Sequence, residues 1–140
     1  IGDLARAVGA EGLVGGQVDD LAFDSKNLSN EAIESVHARK SAALIAASVV
    51  GGARLGGASE EILGELALFG REVGVAFQIA DDLLDEDEGD ACSSLTSLGR
   101  EGARARAEAL LEGALKRIDS LGADAESLRA LACFSVRRDR

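Results

Sequence analysis

The chain has 140 residues, 46% hydrophobic and 29% charged, with a formal net charge of −10. This is the composition of one soluble globular domain, and its excess of acid disfavours partners with phosphate-rich surfaces, nucleic acid and anionic membrane alike. No apolar run reaches the roughly 18 residues of a membrane span, and Cys92 and Cys133 are too few for a disulfide framework and lack zinc spacing. Reduced thiols in a cytoplasmic protein are therefore expected. No charged-apolar-small leader opens the chain, which starts at Ile1 rather than Met, as a fragment would.

The chain contains no proline, which suits long uninterrupted helices, and leaves seventeen glycines as the main punctuation. Five helical stretches and no strands are expected. The first runs from about Asp3 to Glu11 and reaches Gly12, Gly15 and Gly16. After the polar stretch Asp24-Ser25-Lys26-Asn27, Ser29 or Asn30 caps a second helix carrying Ile33, Val36, Leu44, Ala47 and Val50, which stops near Gly51-Gly52. Ser59 caps the third, with Glu60 and Glu61 in its first turn opposing the helix dipole. Ile62, Leu66, Phe69, Val73, Phe77, Ala80 and Leu84 recur there at three- and four-residue steps, a buried stripe on a helix of roughly 25 residues. Residues 86–100 are read as a polar loop, followed by helices over about Glu101–Leu121 and Ala125–Arg137. The expected architecture is one all-α domain over 1–140, a helical bundle with no linker long enough to divide it.

The segment from Phe77 to Asp85, Phe-Gln-Ile-Ala-Asp-Asp-Leu-Leu-Asp, is the most informative in the chain. Asp81, Asp82 and Asp85 stand at i, i+1 and i+4 and, with Gln78, share one side of a helix. Such a carboxylate cluster repels itself unless something positive sits within it. Mg²⁺ accepts hard oxygen ligands of this kind, completing its shell with waters and substrate phosphates. A solvated acidic helix end is the competing reading, kept open by the trailing Glu86-Asp87-Glu88. The acids lie beside the apolar stripe rather than opposite it, which favours a cavity over bulk solvent.

A metal cluster that binds a diphosphate needs cations and amides presented by other helices. Gly16-Gln17-Val18-Asp19-Asp20 offers an amide and carboxylates beside glycines, and His37-Ala38-Arg39-Lys40-Ser41 places Lys40 in mid-helix. An ammonium there snorkels to solvent or meets an anion. His37, the only histidine, is set aside as a surface or core residue.

In this order, the three segments resemble the trans-isoprenyl diphosphate synthases, the farnesyl and geranylgeranyl diphosphate synthase family. Phe77 to Asp85 looks like that family's second aspartate-rich motif, Phe-Gln-x-x-Asp-Asp-x-x-Asp. Gly16-Gln17 with Asp20 looks like its Gly-Gln-x-x-Asp segment, and Lys40-Ser41 stands where the family has Lys-Thr. The match covers the C-terminal half of a family member. It implies a partial domain of the isoprenoid synthase type and an Mg²⁺-dependent transferase that condenses an allylic diphosphate with isopentenyl diphosphate. By resemblance Asp81, Asp82 and Asp85 hold Mg²⁺, Lys40 and Ser41 bind the diphosphate, Gln17 and Gln78 line the reacting region and Phe77 its hydrocarbon side. A homodimer is likewise implied by resemblance alone. Two features depart from the family pattern: no Asp-Asp-x-x-Asp occurs outside Phe77–Asp85, and the stretch after Asp85 lacks the family's lysines. A terpene cyclase-like enzyme of the same fold and a non-catalytic helical partner of a complete synthase are the competing functions.

Overall fold

The computed structural model describes residues 1–23, 29–84 and 92–138. Its described residues are helical and contain no strand. In chain order the helices are α1 (Gly2–Val8), α2 (Leu13–Leu21), α3 (Asn30–His37), a π-helical turn (Ala38–Ala42), α4 (Ala43–Leu55), α5 (Glu60–Leu84), α6 (Ser94–Arg117), a 3₁₀ segment (Asp119–Ala125) and α7 (Glu126–Arg137). The all-α class is as expected, and α5 and α7 begin and end within a residue of their sequence-based bounds.

α5 is the axis of the bundle, packing against α6, α4, the π turn, α7 and α3. A helix enclosed on that many sides must be apolar nearly all round in its buried part. From Val73 to Ala80 only Phe77 is not buried. On α6 the answering stripe is Ala103, Ala107, Leu111 and Ala114, continued by Ile118 at its C-cap, each no more than 4% exposed. Steps of three and four keep those residues on one face, and their small size lets the two long helices approach closely.

Several boundaries differ from expectation: α4 runs through Gly51-Gly52 to Leu55, and α6 ends at Arg117 rather than near Leu121. The first helix ends at Val8, and a separate helix α2 carries Gly15, Gly16, Gln17 and Asp20. Gly12, Gly15 and Gly16 read as punctuation, but all three pack against backbone: a Cβ would lie 2.0 Å from the Ala7 oxygen on Gly12, 1.8 Å from the Ala10 oxygen on Gly15 and 2.3 Å from the Lys40 nitrogen on Gly16. The expected second helix is a single rod only with the π turn inside it, between α3 and α4. Finally, α6 starts at Ser94, inside the expected loop, with Ser93 Oγ accepting from the Leu95 N–H at 3.2 Å. The helix breaks at Gly99, whose φ of +67° only glycine adopts freely, and resumes over 100–117.

A two-pronged ion pair fixes α3 to α6. Arg106 Nε donates to Glu34 Oε1 at 2.7 Å and Nη2 to Oε2 at 2.9 Å, while Asn30 Nδ2 donates to Oε1 at 2.8 Å. The Arg106 guanidinium bonded to it holds the Glu34 carboxyl below its usual value of 4.5. A depressed carboxylate pKa adds stability that is complete above the unfolded value and is lost as pH falls through the folded one. Arg106→Gln is accordingly expected to cost about 1 kcal/mol at pH 7, the partial exposure of the arginine limiting the loss. In urea unfolding the gap between variant and wild type should close on the acid side of pH 4.5.

Candidate functional site

The site assembles where α2, the π turn and the end of α5 meet. Gly16 lets α2 lie directly on the backbone of Arg39 and Lys40. That contact brings Lys40 Nζ to 2.7 Å from Asp20 Oδ2, in a pair whose side chains are 26% and 11% exposed. Gln17 Nε2 approaches the same Asp20 oxygen from one turn earlier, at a long 3.5 Å. Neighbouring Arg39 pairs with Asp19 and donates to the Ala10 carbonyl at 3.0 Å. α2 therefore presents two carboxylates to two adjacent cations on the π turn. In a π turn each residue advances less than the α-helical angle, so consecutive side chains are re-aimed, and such turns recur at functional sites.

Across the π turn, Ser41 Oγ donates to Gln78 Oε1 at 2.7 Å. Gln78 is only 8% exposed, so this bond fixes the orientation of an amide that has little water to turn in. Lys40-Ser41 thus connects the glutamine of the aspartate-bearing helix to the glutamine segment of α2.

Beyond Gln78 the helix divides into two tracks. Phe77 and Asp81, one turn apart, both meet Arg138 just past α7: the guanidinium pairs with Asp81 Oδ1 and lies 4.8 Å above the Phe77 ring. Gln78 and Asp82, also one turn apart, face α3, the π turn and the start of α6. Asp82 Oδ2 accepts from the Ser94 N–H at 2.9 Å, and His37 Nε2 lies 3.8 Å from the same oxygen. Asp85 falls outside the described residues, as do Glu86, Asp87 and Glu88.

Two participants were not anticipated. His37 is 1% exposed, and its Nε2 donates to the Cys92 carbonyl at 3.3 Å. Its burial was legible, since it follows Ile33 by four residues on the apolar face of α3; its contacts span 45 and 55 residues and carry no local signal. Burial pushes the imidazolium of His37 down, against the opposing pull of the Asp82 carboxylate and the Cys92 carbonyl. A neutral ring protonated on Nε2 satisfies Cys92 and leaves Nδ1, which has no partner among the described residues, as a lone pair. Arg138 is the second, brought to Asp81 only by the packing of α7 against α5.

The donor set suits a hard divalent ion in one particular way. Among the described residues no three His, Cys, Asp or Glu side chains converge into a ready-made cage. Asp81 and Asp82 are instead adjacent carboxylates on different tracks, and a guanidinium already answers the charge of one. Mg²⁺ accepts a few carboxylate oxygens and completes its shell with water and phosphate oxygens, so it needs no all-protein cage. No described helix is long and apolar enough to cross a membrane.

Residues 6–92 match the Polyprenyl synthetase family. A dimethylallyltranstransferase of Fischerella ambigua is 36% identical over 153 residues, covering 99% of this chain and 44% of that protein. The apo structure of an FPP/GFPP synthase from Zymomonas mobilis superposes with a TM-score of 0.85 at 37% identity, over 97% of this chain and 49% of that one. A geranyltransferase from Helicobacter pylori, solved with magnesium and isoprenyl diphosphate, gives 0.71 at 28% identity over 96% and 50%. The chain thus spans about half the length of the relatives it matches. With the family matched across the segments that build this site, the chain belongs to the polyprenyl synthetases.

Proposed function

We propose that this chain supplies one side of a prenyltransferase active site, in which an allylic diphosphate ionises and isopentenyl diphosphate attacks the resulting cation. The observation that carries the reading is the pair of bonds through Lys40 and Ser41. They join the Gly-Gln-x-x-Asp, Lys-Ser and Phe-Gln-x-x-Asp-Asp segments into one place. Three weak sequence signals that meet in space are worth more than three that do not.

In this reading the allylic C–O bond breaks with its electron pair leaving on the diphosphate. The isopentenyl double bond then forms the new C–C bond, and the product cation loses a proton to the diphosphate just released. Mg²⁺ held by Asp81, Asp82 and Asp85 would neutralise the departing diphosphate. The chain's own groups do the rest. Lys40 is a point charge paired with Asp20, so its ammonium is held in place before an anion arrives rather than swept in from solvent. Ser41 is beside it, aimed by Gln78. Gln78 offers an amide dipole that stabilises nearby positive charge without being a nucleophile that would trap it, while Phe77, with Arg138 over its ring, would line the hydrocarbon side.

Two experiments bear on this. The full-length protein, given Mg²⁺, an allylic diphosphate and isopentenyl diphosphate, is expected to release inorganic diphosphate and a prenyl diphosphate longer by one five-carbon unit. Binding of both substrates with no longer product would instead support a non-catalytic partner. Lys40→Gln is expected to raise KM for the allylic diphosphate about 10- to 100-fold, the weight of one charge-assisted contact to phosphate. An unchanged KM would remove Lys40 from the site.

A further inference from the structure

We infer that His37 is a positioning residue for Asp82: it clasps the end of the aspartate-bearing helix to the turn that carries Lys40. The inference rests on the reading that Asp82 serves a divalent ion, and it extends that reading to a residue with no place in the motifs.

Three elements converge on a small volume. His37 ends α3, three residues before Lys40. Asp82 lies in the last turn of α5. Cys92 and Ser94 bring the chain back into α6. The imidazole Nε2 stands 3.3 Å from the Cys92 carbonyl and 3.8 Å from Asp82 Oδ2, and the Ser94 N–H reaches that same oxygen at 2.9 Å. A single ring nitrogen thus faces both the carboxylate and the backbone that returns after it. Both the ring and Cys92 are 1% exposed, so neither contact is diluted by water. The charged groups facing the ring are Asp82 from α5, Asp20 from α2 and Lys40 from the π turn.

A carboxylate with two rotatable bonds at a helix end loses affinity for an ion through the entropy of its own rotamers. The Ser94 N–H fixes one oxygen of Asp82, and the His37 N–H holds the Cys92 carbonyl two residues before that donor, so the ring restrains the backbone on which the carboxylate's freedom depends. It also ties the position of Asp82 to that of Lys40, since His37 and Lys40 ride on the same rod. Had the ring merely filled space, a partnerless side chain would fit the pocket as well. Its Nε2 instead donates to the Cys92 carbonyl at 3.3 Å, with the Asp82 carboxylate 3.8 Å away.

The test compares His37→Leu, which fills the volume without a donor, with His37→Gln, whose amide N–H can reach the same acceptors. In the full-length protein, Mn²⁺ as the spectroscopic substitute for Mg²⁺ is titrated by electron paramagnetic resonance, with and without inorganic diphosphate. Thermal unfolding of the metal-free variants is followed alongside. His37→Leu is expected to weaken Mn²⁺ binding about 10- to 100-fold, the usual effect of removing a group that orients a metal-binding carboxylate. His37→Gln is expected to recover most of that loss, whatever either variant does to the melting temperature. Equal Mn²⁺ affinity in wild type and His37→Leu, or equal losses in both variants, would overturn the assignment and leave His37 a core residue. Asp82→Asn run in parallel separates the two levels. If it leaves Mn²⁺ binding unchanged, the metal reading itself fails; if it weakens binding while His37→Leu does not, only the role of His37 fails.

Discussion

Asp81→Asn combined with Asp82→Asn is expected to lower the rate of prenyl diphosphate formation by about 10²- to 10³-fold in the full-length protein, with little change in stability. The size follows from charge. A neutral amide is a poor ligand for a hard cation, and losing preorganised charge opposite a leaving group costs about 3–4 kcal/mol in the transition state. The selectivity follows from the contacts. Asp81 is 41% exposed and its partner Arg138 is 30% exposed, so breaking that pair removes a surface interaction of small worth. Asparagine at position 82 keeps an oxygen that can accept from the Ser94 N–H, preserving the anchor at the start of α6. Asp82→Ala would not, and should destabilise by about 1 kcal/mol as an N-terminal helix contact is lost. Steady-state turnover with Mg²⁺ varied, set beside urea unfolding of the same proteins, separates the effects. A double variant within a few-fold of the wild-type rate would remove these aspartates from the chemistry.

Local periodicity carried the fold further than it carried the site. The stripe on α5 and the cap at Ser59 placed that helix because both are properties of neighbouring residues. α2 is hard to read from sequence because Gly12, Gly15 and Gly16 are poor helix formers; Gly12 and Gly15 lie against the backbone of Ala7 and Ala10, and Gly16 against the π turn more than twenty residues away. The π turn itself has no signature in Ala-Arg-Lys-Ser-Ala. Gly16 lies against its backbone on one side and Gly74 on the other, contacts made by residues distant in sequence. At the site the motif residues are legible as residue types, and Lys40 as an ammonium that either snorkels to solvent or meets an anion; that Asp20 is its partner is not legible. The expectation that the acids share one side was too simple. At 100° per residue, adjacent Asp81 and Asp82 face different neighbours, Arg138 for one and Ser94 with His37 for the other.

Gly74→Ala and Gly64→Ala, the same substitution on the same helix, are expected to move stability in opposite directions. A Cβ on Gly74 would stand 2.3 Å from Ala42 Cα, 2.6 Å from Ala42 Cβ and 3.1 Å from Ala42 N, so α5 and the π turn must separate to admit it. One turn earlier, a Cβ on Gly70 would meet Ala46 in the same way at 2.5 Å, which makes the crossing a ladder of glycine on alanine. No side-chain rotation relieves a clash with backbone, and overpacking of this kind costs about 1–3 kcal/mol. The gain in helix propensity, roughly 0.5–1 kcal/mol, is too small to offset it. At Gly64 nothing lies within 4 Å of the added Cβ, so the propensity gain stands alone and the variant should be more stable by about that amount. Urea midpoints shifting the same way for both would contradict the packing argument. The Gly74 variant carries a second consequence. Ala42 follows Ser41 directly, so pushing it away strains the 2.7 Å bond from Ser41 to Gln78 and the seat of Lys40 beside it. A drop in kcat/KM beyond what the lost stability explains would show that the glycine keeps the π turn, and the cation it carries, in register with the aspartate helix.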